Sequence, residues 1–405
     1  MKEIKLTIIA ESPLAIGRKK PGSVSEAAEF ISGSVIRGAI AGYLLRLSNN
    51  QPQSDDDFSQ LFVDENPAIF VNAYPTQNQA EVKLLPVTAV SAKAKSGFLS
   101  DNCGVFDTLI DRFCAESCGQ LYDPKCPKDL ANDGDGRVEP FNGFYIRQGK
   151  KYHKISASKR LLTRVGINRR RATSEEQILY SLEVLNESQI IDKVHQPSQY
   201  QGSIFVGDDA LANRLTQFIN NHGDRFRLGG GVSRGLGRVK LQAKCVNWQS
   251  QTKQQINKFN KVLKNRCQMW HNLYNVGTAK LDQTYFTINL KSDGIFRDNW
   301  RRTTVITPEM LRDFCGVEDD SLILDAAYSS YDYVSGWNAA WGLMKDIDLI
   351  TTKGSVYLFR TQQIDTWYNV LEKMETQGIG DRTSEGFGQV EICHEFHHIF
   401  RENAV

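Results

Sequence analysis

Four cysteines lie close together in the first half of the sequence, at Cys103, Cys114, Cys118 and Cys126. Four thiolates suit a tetrahedral zinc ion, and such sites stabilise small segments that have too few apolar residues for a core of their own. The eight cysteines of the chain, without a secretion signal before them, favour metal binding over disulfides in a reducing compartment. Structural zinc is therefore one hypothesis, and free buried thiols are the alternative.

A second group of residues could hold an anion. The stretch GGGVSRGLGRVKL, residues 229–241, places five glycines within nine residues, and glycine lets another backbone approach closely. A basic run without an acidic residue lies upstream, with Lys154, Lys159, Arg160, Arg164, Arg169, Arg170 and Arg171. Because the net charge of the chain is only +2, this local excess indicates an anionic partner, and a solvated surface is the alternative. The nearby rings of Tyr145, Tyr152 and His153 could stack on bases.

The start of an early helix offers a further anion site. Residues 31–47, ISGSVIRGAIAGYLLRL, carry apolar residues at helical spacing, and Ser34 is a plausible N-cap. Gly33 and Ser34 would leave free amide donors at the helix N-terminus, which suits a phosphate, and Arg37 lies one turn further on. An ordinary amphipathic helix with a solvated arginine is the alternative.

Patterns for catalysis are weak. Neither glycine-rich loop of the chain ends in the Gly-Lys-Ser/Thr of a nucleotide-binding loop, and residues 393–398, CHEFHH, lack the HExxH spacing of a zinc protease. His153 or His222 could be a general base in RNA cleavage, and Asp107 with Asp111 could serve metal-assisted hydrolysis. No partner residue is identifiable for any of them, so we assign no catalytic residue.

The glycine stretch has a second copy, which indicates how the chain is organised. Ser233–Leu241, SRGLGRVKL, matches Ser384–Ile392, SEGFGQVEI, and a helix-like segment precedes each copy. A repeated helix, glycine loop and strand indicates two related domains. In the second copy Glu385 replaces Arg234, so we expect this loop to be mainly structural or to face protein.

Composition and element order complete the prediction. A chain of 405 residues, with 40% apolar and 24% charged residues, is typical of a globular protein with two domains. We expect an α+β fold of the ferredoxin-like, split βαβ type. The first domain covers residues 1–245 with an insertion at 97–150, a helical linker covers 246–281, and the second domain covers 282–405. No run of about 18 apolar residues exists, so no membrane span is expected.

Two of these segments together resemble a known family. The early helix GSVIRGAIAGYL with the late loop GGGVSRGLGRVKL resembles the RAMP superfamily, the repeat-associated proteins of CRISPR effector complexes. The basic segment TRVGINRRRATSEEQILYSLEVL, residues 163–185, preceded by a cysteine-bearing insertion, resembles the large Csx-type subunit of type III-D complexes. The resemblance covers most of the chain and implies two ferredoxin-like, RRM-type RAMP domains with the cysteine-containing insertion in the first.

The resemblance also implies a function. The chain would be a non-catalytic, cytoplasmic subunit that holds the repeat-derived 5′ tag of the crRNA, beside a large polymerase-like subunit and backbone RAMP subunits, with target RNA reached indirectly. Its RNA-binding residues would be Gly33, Ser34, Arg37, Lys159, Arg160, Arg164, Arg169, Arg170, Arg171, Gly229, Gly230, Gly231, Ser233, Arg234, Gly235 and Gly237. The alternatives are a RAMP-type endoribonuclease, which processes precursor crRNA or cleaves target RNA, and a protein scaffold within the complex.

Overall fold

A computed structural model describes the chain apart from residues 19–25, 50, 52, 54, 55, 79, 101, 169–172, 192, 278–280 and 339–341. Helices α1 to α8 are Gly33–Leu47, Asp57–Phe62, Leu109–Ser117, Pro127–Ala131, Asp209–Asn221, Thr252–Tyr274, Pro308–Cys315 and Ile364–Gln377. Strands β1 to β17 are Lys2–Ala10, Gly17–Arg18, Glu26–Ala27, Ile69–Phe70, Tyr74–Thr76, Val82–Leu84, Ala89–Ala92, Val105–Asp107, Val138–Pro140, Phe144–Gln148, Lys151–Ile155, Lys159–Asn168, Thr173–Leu185, Ser188–Ile191, Val194–Pro197, Gln199–Val206 and Val239–Asn247. Strands β18 to β27 are Thr284–Leu290, Phe296–Asp298, Arg301–Thr303, Ile323–Tyr328, Tyr331–Val334, Trp337–Asn338, Leu343–Met344, Asp348–Thr351, Val356–Thr361 and Val390–Ile392.

The first sheet has the strand order β17-β1-β16-β4, and every neighbouring pair is antiparallel. Strand β1 alternates as its sequence predicts, with Ile4, Leu6 and Ile8 buried. Helices α1 and α5 bury apolar side chains, including Ile40 and Leu215, in the same hydrophobic core. The apolar faces of α1 and α5, with helical spacing, and of β1, with two-residue spacing, thus pack in one core.

The second sheet repeats this arrangement. Its order is β21-β26-β18-β27, again antiparallel throughout. In each sheet the strand that comes last in the chain lies at one edge and pairs with the strand that comes first. Helices α6, α7 and α8 pack against it around Phe286, Phe359 and Trp367. The predicted helix at 247–274 is α6, Thr252–Tyr274. The chain is therefore a mixed α/β structure with antiparallel sheets, and no described helix is both long and apolar enough to cross a membrane.

The insertion packs away from the first core. Its helix α3 contributes Ile110 and Cys114 to the core of the second sheet. Strand β8 of the insertion pairs with residues near the end of the chain, because Val105 exchanges backbone hydrogen bonds of 2.8 and 3.0 Å with Val405. The backbone N–H of Asp107 donates to the Ile399 carbonyl at 2.8 Å. The insertion therefore obtains its missing apolar partners from the second half of the chain.

The basic run forms a long antiparallel hairpin of β12 and β13, which the sequence did not predict. Lys159 pairs with Leu185 at its base and Asn168 with Thr173 near its tip. The base is fixed because Leu14 and Leu185 exchange backbone hydrogen bonds of 3.0 and 2.9 Å. The hairpin thus projects from the segment that follows β1.

Candidate nucleic-acid interface

The first glycine loop, residues 229–237, lies against the segment that follows β1. The backbone N–H of Gly230 donates to the Ala15 carbonyl, and that of Gly237 donates to the Pro13 carbonyl, both at 2.9 Å. Gly237 has φ of 86°, and a Cβ there would lie 2.6 Å from the Leu228 carbonyl oxygen, so this position requires glycine. Between the two hydrogen bonds, Val232–Arg234 form a single exposed 3-10 turn. The loop is thus held at both ends and open at its tip.

The tip of the loop contacts the hairpin through three residues. The guanidinium of Arg234 donates to the Tyr180 hydroxyl at 2.6 Å and lies 5.7 Å from the centre of its ring. Arg164, which faces Tyr180 across the β12–β13 ladder, donates to the Arg234 carbonyl at 3.4 Å. An exposed arginine, a half-buried arginine and an exposed ring therefore form a single surface. We call it the loop–hairpin surface: Arg164, Tyr180 and residues 232–235.

The predicted cations differ in their partners. Lys159 pairs with Glu183 at 3.7 Å, and Arg160 pairs with Glu187 at 2.9 Å. Within the described part of the chain, no carboxylate forms an ion pair with the guanidinium of Arg164 or with that of Arg234. Their charges are therefore available to an anion. The predicted RNA-binding residues Arg169, Arg170 and Arg171 lie outside the described residues.

The predicted phosphate site at the start of α1 is occupied by protein groups. The N-cap is Ser32 rather than Ser34, whose hydroxyl lies 2.9 Å from that of Ser32. Gly33 is buried, and its N–H donates to the Asn72 side chain at 2.8 Å, which contradicts the expected free amide. Arg37 donates to the Phe62 carbonyl at 2.8 Å, and burial lowers the pKa of its guanidinium. Neither Gly33 nor Arg37 faces open solvent as the sequence suggested.

The second glycine loop, residues 380–388, covers this helix start. Gly380 and Gly388 have φ of 83° and 64°, against 83° and 86° at Gly229 and Gly237 of the first loop. A Cβ on Gly386 would lie 2.7 Å from the Phe70 carbonyl oxygen, beside Gly33. The repeat in the sequence is thus a repeat of backbone conformation, and the second copy contacts protein.

Ion pairs fix the second loop in place. Glu385 accepts hydrogen bonds from Arg382 at 2.7 Å and from Lys345 at 2.8 Å. Arg382 also pairs with Asp348 at 3.1 Å. Burial alone would raise the pKa of Glu385, but the hydrogen bonds and charges of Arg382 and Lys345 outweigh it and hold this pKa below its ordinary value. The charges of this loop are therefore satisfied within the protein.

The four cysteines of the insertion do not form one cluster. Cys114 is disulfide-bonded to Cys267 of α6, with Cα atoms 4.9 Å apart. Cys103 and Cys126 stay close, with the Cys126 Sγ 3.8 Å from the Cys103 carbonyl oxygen, while Cys118 is a separate buried thiol. The described residues contain no group of three or more His, Cys, Asp or Glu arranged to hold a metal ion. This arrangement does not fit a four-cysteine zinc site, and zinc stays a prediction that metal analysis of the purified protein tests.

The aromatic and catalytic candidates of the sequence mostly have structural roles. Tyr145 is fully buried, and burial raises its pKa far above the ordinary range. The imidazole of His222 packs on Tyr43, whose hydroxyl lies 3.3 Å from Nδ1. Asp111 accepts two hydrogen bonds from Arg266 and is buried. Tyr145 and Asp111 therefore lack the access to solvent that a reacting RNA would need, and His222 is half-buried against an aromatic ring.

Two histidines of CHEFHH, His394 and His397, are buried, and His397 belongs to a polar network. His397 places Nδ1 3.1 Å from the Asp107 carboxylate and Nε2 2.8 Å from the Asn289 amide. The Thr88 hydroxyl donates to the same carboxylate at 2.5 Å. Burial lowers the pKa of His394 to about 4, so this neighbour stays neutral. The network joins the insertion to the second sheet.

Sequence reasoning missed Tyr180. The residue stands in the basic segment 163–185, but its importance comes from pairing with Arg164, which requires the hairpin register. The signal was present as strand-favouring residues at every second position, Leu161, Thr163 and Val165, within the basic run. Pairing of the two strands in the register that sets Asn168 opposite Thr173 would have placed Tyr180 opposite Arg164.

The chain matches one family model and several solved structures. The family model described as the RAMP superfamily matches residues 7–240, more than half of the chain. No curated protein matches the chain significantly.

Among solved structures, a chain of type III-B Cmr-beta bound to cognate target RNA and AMPPnP, state 1, is 13% identical with a TM-score of 0.42, covering 90% of this chain and 88% of that one. A chain of type III-B Cmr-beta bound to cognate target RNA is 12% identical with a TM-score of 0.42, covering 95% of this chain and 96% of that one. Oligomeric Cmr4 from Pyrococcus furiosus is 13% identical with a TM-score of 0.26, covering 61% of this chain and 100% of that one.

Proposed function

Because the chain belongs to the RAMP superfamily, we propose that it is a non-catalytic RNA-binding subunit of a cytoplasmic type III CRISPR effector complex, of subtype III-D. It holds the repeat-derived 5′ tag of the crRNA. Its protein partners are the large polymerase-like subunit and the backbone RAMP subunits, and it reaches target RNA only through the crRNA.

The observation that carries this proposal is the loop–hairpin surface. Arg164 and Arg234 have no carboxylate partner among the described residues, and the exposed ring of Tyr180 lies beside them. Guanidinium groups bind phosphates through directed hydrogen bonds, and an exposed ring can stack on a base. The exposed Ser233 at the open tip of the loop adds a hydroxyl group beside these cations. A single RNA strand is the ligand that uses all three kinds of group.

The repeated sheet supports two ferredoxin-like RAMP domains as the framework for this surface. If the four strands of each sheet order are numbered as they occur in the chain, both sheets have the spatial order 4-1-3-2. These are β17-β1-β16-β4 in the first sheet and β27-β18-β26-β21 in the second. This order with antiparallel neighbours is what a split βαβ repeat produces. We propose bounds of 1–245 and 282–405, with the insertion at 97–150 and α6 within the linker 246–281.

The surroundings of the candidate groups support a role without catalysis. Asp107 and Asp111 are buried and hydrogen-bonded, and His222 packs against Tyr43. His153 lies on β11 away from any identified acid or base partner among the described residues. An endoribonuclease would need an accessible general base with such a partner.

The test measures RNA affinity as a function of salt concentration. The full chain is titrated with a fluorescent RNA that carries the 5′ tag and with a scrambled RNA of equal length. Arg164→Ala with Arg234→Ala should weaken binding and reduce the slope of log affinity against log salt by about 0.7 for each phosphate that is no longer neutralised. Arg160→Ala is the matched control, since Arg160 is already paired with Glu187, and it should bind like the wild type.

The outcomes separate the alternatives. An unchanged salt slope in the double variant would contradict the loop–hairpin surface as the RNA site. Equal affinity for tag and scrambled RNA would contradict tag recognition. Cleavage of either RNA would identify an endoribonuclease, and a chain that joins the complex but binds no RNA would be a scaffold.

A further inference from the structure

The hairpin of β19 and β20 carries a tryptophan on its tip. Asp298 pairs with Arg301, so Asn299 and Trp300 form a two-residue turn. The side chain of Trp300 is 94% exposed, almost as much as an isolated residue. Tryptophan is usually well buried because its large ring gains much from leaving water. A fully exposed ring at a turn therefore needs an explanation.

The backbone at this turn makes the residue choice more unusual. Asn299 and Trp300 have φ of 44° and 70°, a combination that two-residue hairpin turns satisfy best with Asn-Gly. A bulky residue at positive φ is a genuine outlier and costs free energy relative to glycine. Stability of the hairpin would thus favour glycine at position 300. The tryptophan is explained by an interaction outside the chain.

Arginines flank Trp300 in this hairpin, and one of them has no described partner. Arg297 pairs with Asp381 at 2.8 Å, and Arg302 donates to the Ile347 carbonyl at 2.6 Å. Arg301, directly after Trp300, is exposed and has no ion pair or side-chain hydrogen bond within the described part of the chain. Trp300 is thus followed in the chain by an exposed arginine that has no partner among the described residues.

We propose that Trp300 stacks on an unpaired base of a single RNA strand while Arg301 contacts the adjacent phosphate. This is a second RNA contact, on the second half of the chain, and it rests on the proposed RNA-binding function. Base stacking on an exposed aromatic ring is independent of sequence, since every base has a π face. The contact would therefore hold a strand without reading it.

The surroundings favour RNA over a protein partner. Binding residues at protein interfaces lie at the centre of a packed patch, surrounded by other contacts that exclude water. The neighbours of Trp300 in this hairpin are instead Arg297, Asp298, Asn299 and Arg301, all polar or charged. An exposed aromatic ring beside an unpaired arginine in the chain is typical of surfaces that bind single-stranded nucleic acid.

The test uses the full chain, oligouridine as an unstructured RNA, and the variant Trp300→Gly. Glycine suits the positive φ of the turn, so this variant should unfold at a temperature no lower than that of the wild type. Its affinity for oligouridine should fall at least about fivefold, and RNA should quench less of its tryptophan fluorescence. Leu121→Ala is the matched control, because Leu121 is 96% exposed and lies in the insertion.

Arg301→Ala separates the charge from the ring. It should reduce the slope of log affinity against log salt by about 0.7, whereas Trp300→Gly should leave that slope unchanged. Wild-type affinity in Trp300→Gly would overturn the stacking interaction while leaving the loop–hairpin surface intact. Loss of a protein partner by Trp300→Gly, with unchanged RNA affinity, would also overturn the stacking interaction, because Trp300 would then contact protein instead of RNA. A wild-type chain that binds no RNA would overturn both this interaction and the proposed function.

Discussion

Replacement of Asp111 by asparagine tests whether the insertion is fixed by a buried ion pair. Asp111 is 1% exposed and accepts hydrogen bonds from Arg266 at 2.5 and 2.8 Å and from the Trp270 indole at 2.7 Å. Removing one partner of a buried pair leaves a desolvated charge and costs about 3–5 kcal/mol. Arg266 keeps a second carboxylate, Glu402, so we expect the lower end, about 3 kcal/mol.

The assay is urea unfolding followed by tryptophan fluorescence, with the free energy of unfolding taken from the midpoint and the slope. Asp320→Asn is the control, because Asp320 is fully exposed where it pairs with Arg312. Its replacement should leave the unfolding free energy unchanged within error. A decrease below about 1 kcal/mol in Asp111→Asn would refute the reasoning, since it would give the pair the strength of a surface ion pair.

Two further predictions concern stability. Gly33→Ala should destabilise the chain by about 1–3 kcal/mol, because the new Cβ would collide with the Phe70 carbonyl oxygen. Gly42→Ala in the same helix meets open space and should stabilise the chain by up to about 1 kcal/mol. Equal unfolding temperatures of the two variants would contradict the tight packing at Gly33. Burial lowers the pKa of His394 and His398 from 6.5 to about 4. Between these pH values the unfolded chain binds protons that the folded chain does not. The unfolding free energy should therefore fall as pH drops through this window, by up to about 1.4 kcal/mol per pH unit for each group. A flat profile from pH 6.5 to 4 in denaturant titrations would contradict their burial as neutral groups.

Local patterns predicted the repeated features of the fold. The match of SRGLGRVKL to SEGFGQVEI predicted two loops of one kind, and the loops share their positive φ values. Alternation predicted β1, and helical spacing predicted α1, α5, α6 and α8. These elements follow from the sequence because periodic burial and glycine conformation are properties of neighbouring residues.

Long-range contacts could not be predicted in this way. The burial of Gly33 depends on a loop more than 300 residues later, and the freedom of Arg164 depends on which carboxylates the hairpin register places beside Lys159 and Arg160. The disulfide of Cys114 with Cys267 likewise joins residues that no local spacing relates. Charge and residue type suggested which groups could bind RNA. Which of these groups are free to bind depends on the side chains that pair with them in the folded chain.

The pairing of Val105 with Val405 also sets an order of events during synthesis. A ribosome makes the N-terminal sheet first, and β1, β16 and β17 can assemble once about 250 residues have emerged. Strand β8 pairs with β7 on one side, but its other edge must wait until Ile399 and Val405 are made. The Asp107 carboxylate likewise waits for His397. The nascent chain therefore carries an exposed strand edge and a half-formed polar network through most of its elongation, a state in which chaperone binding would protect it from aggregation.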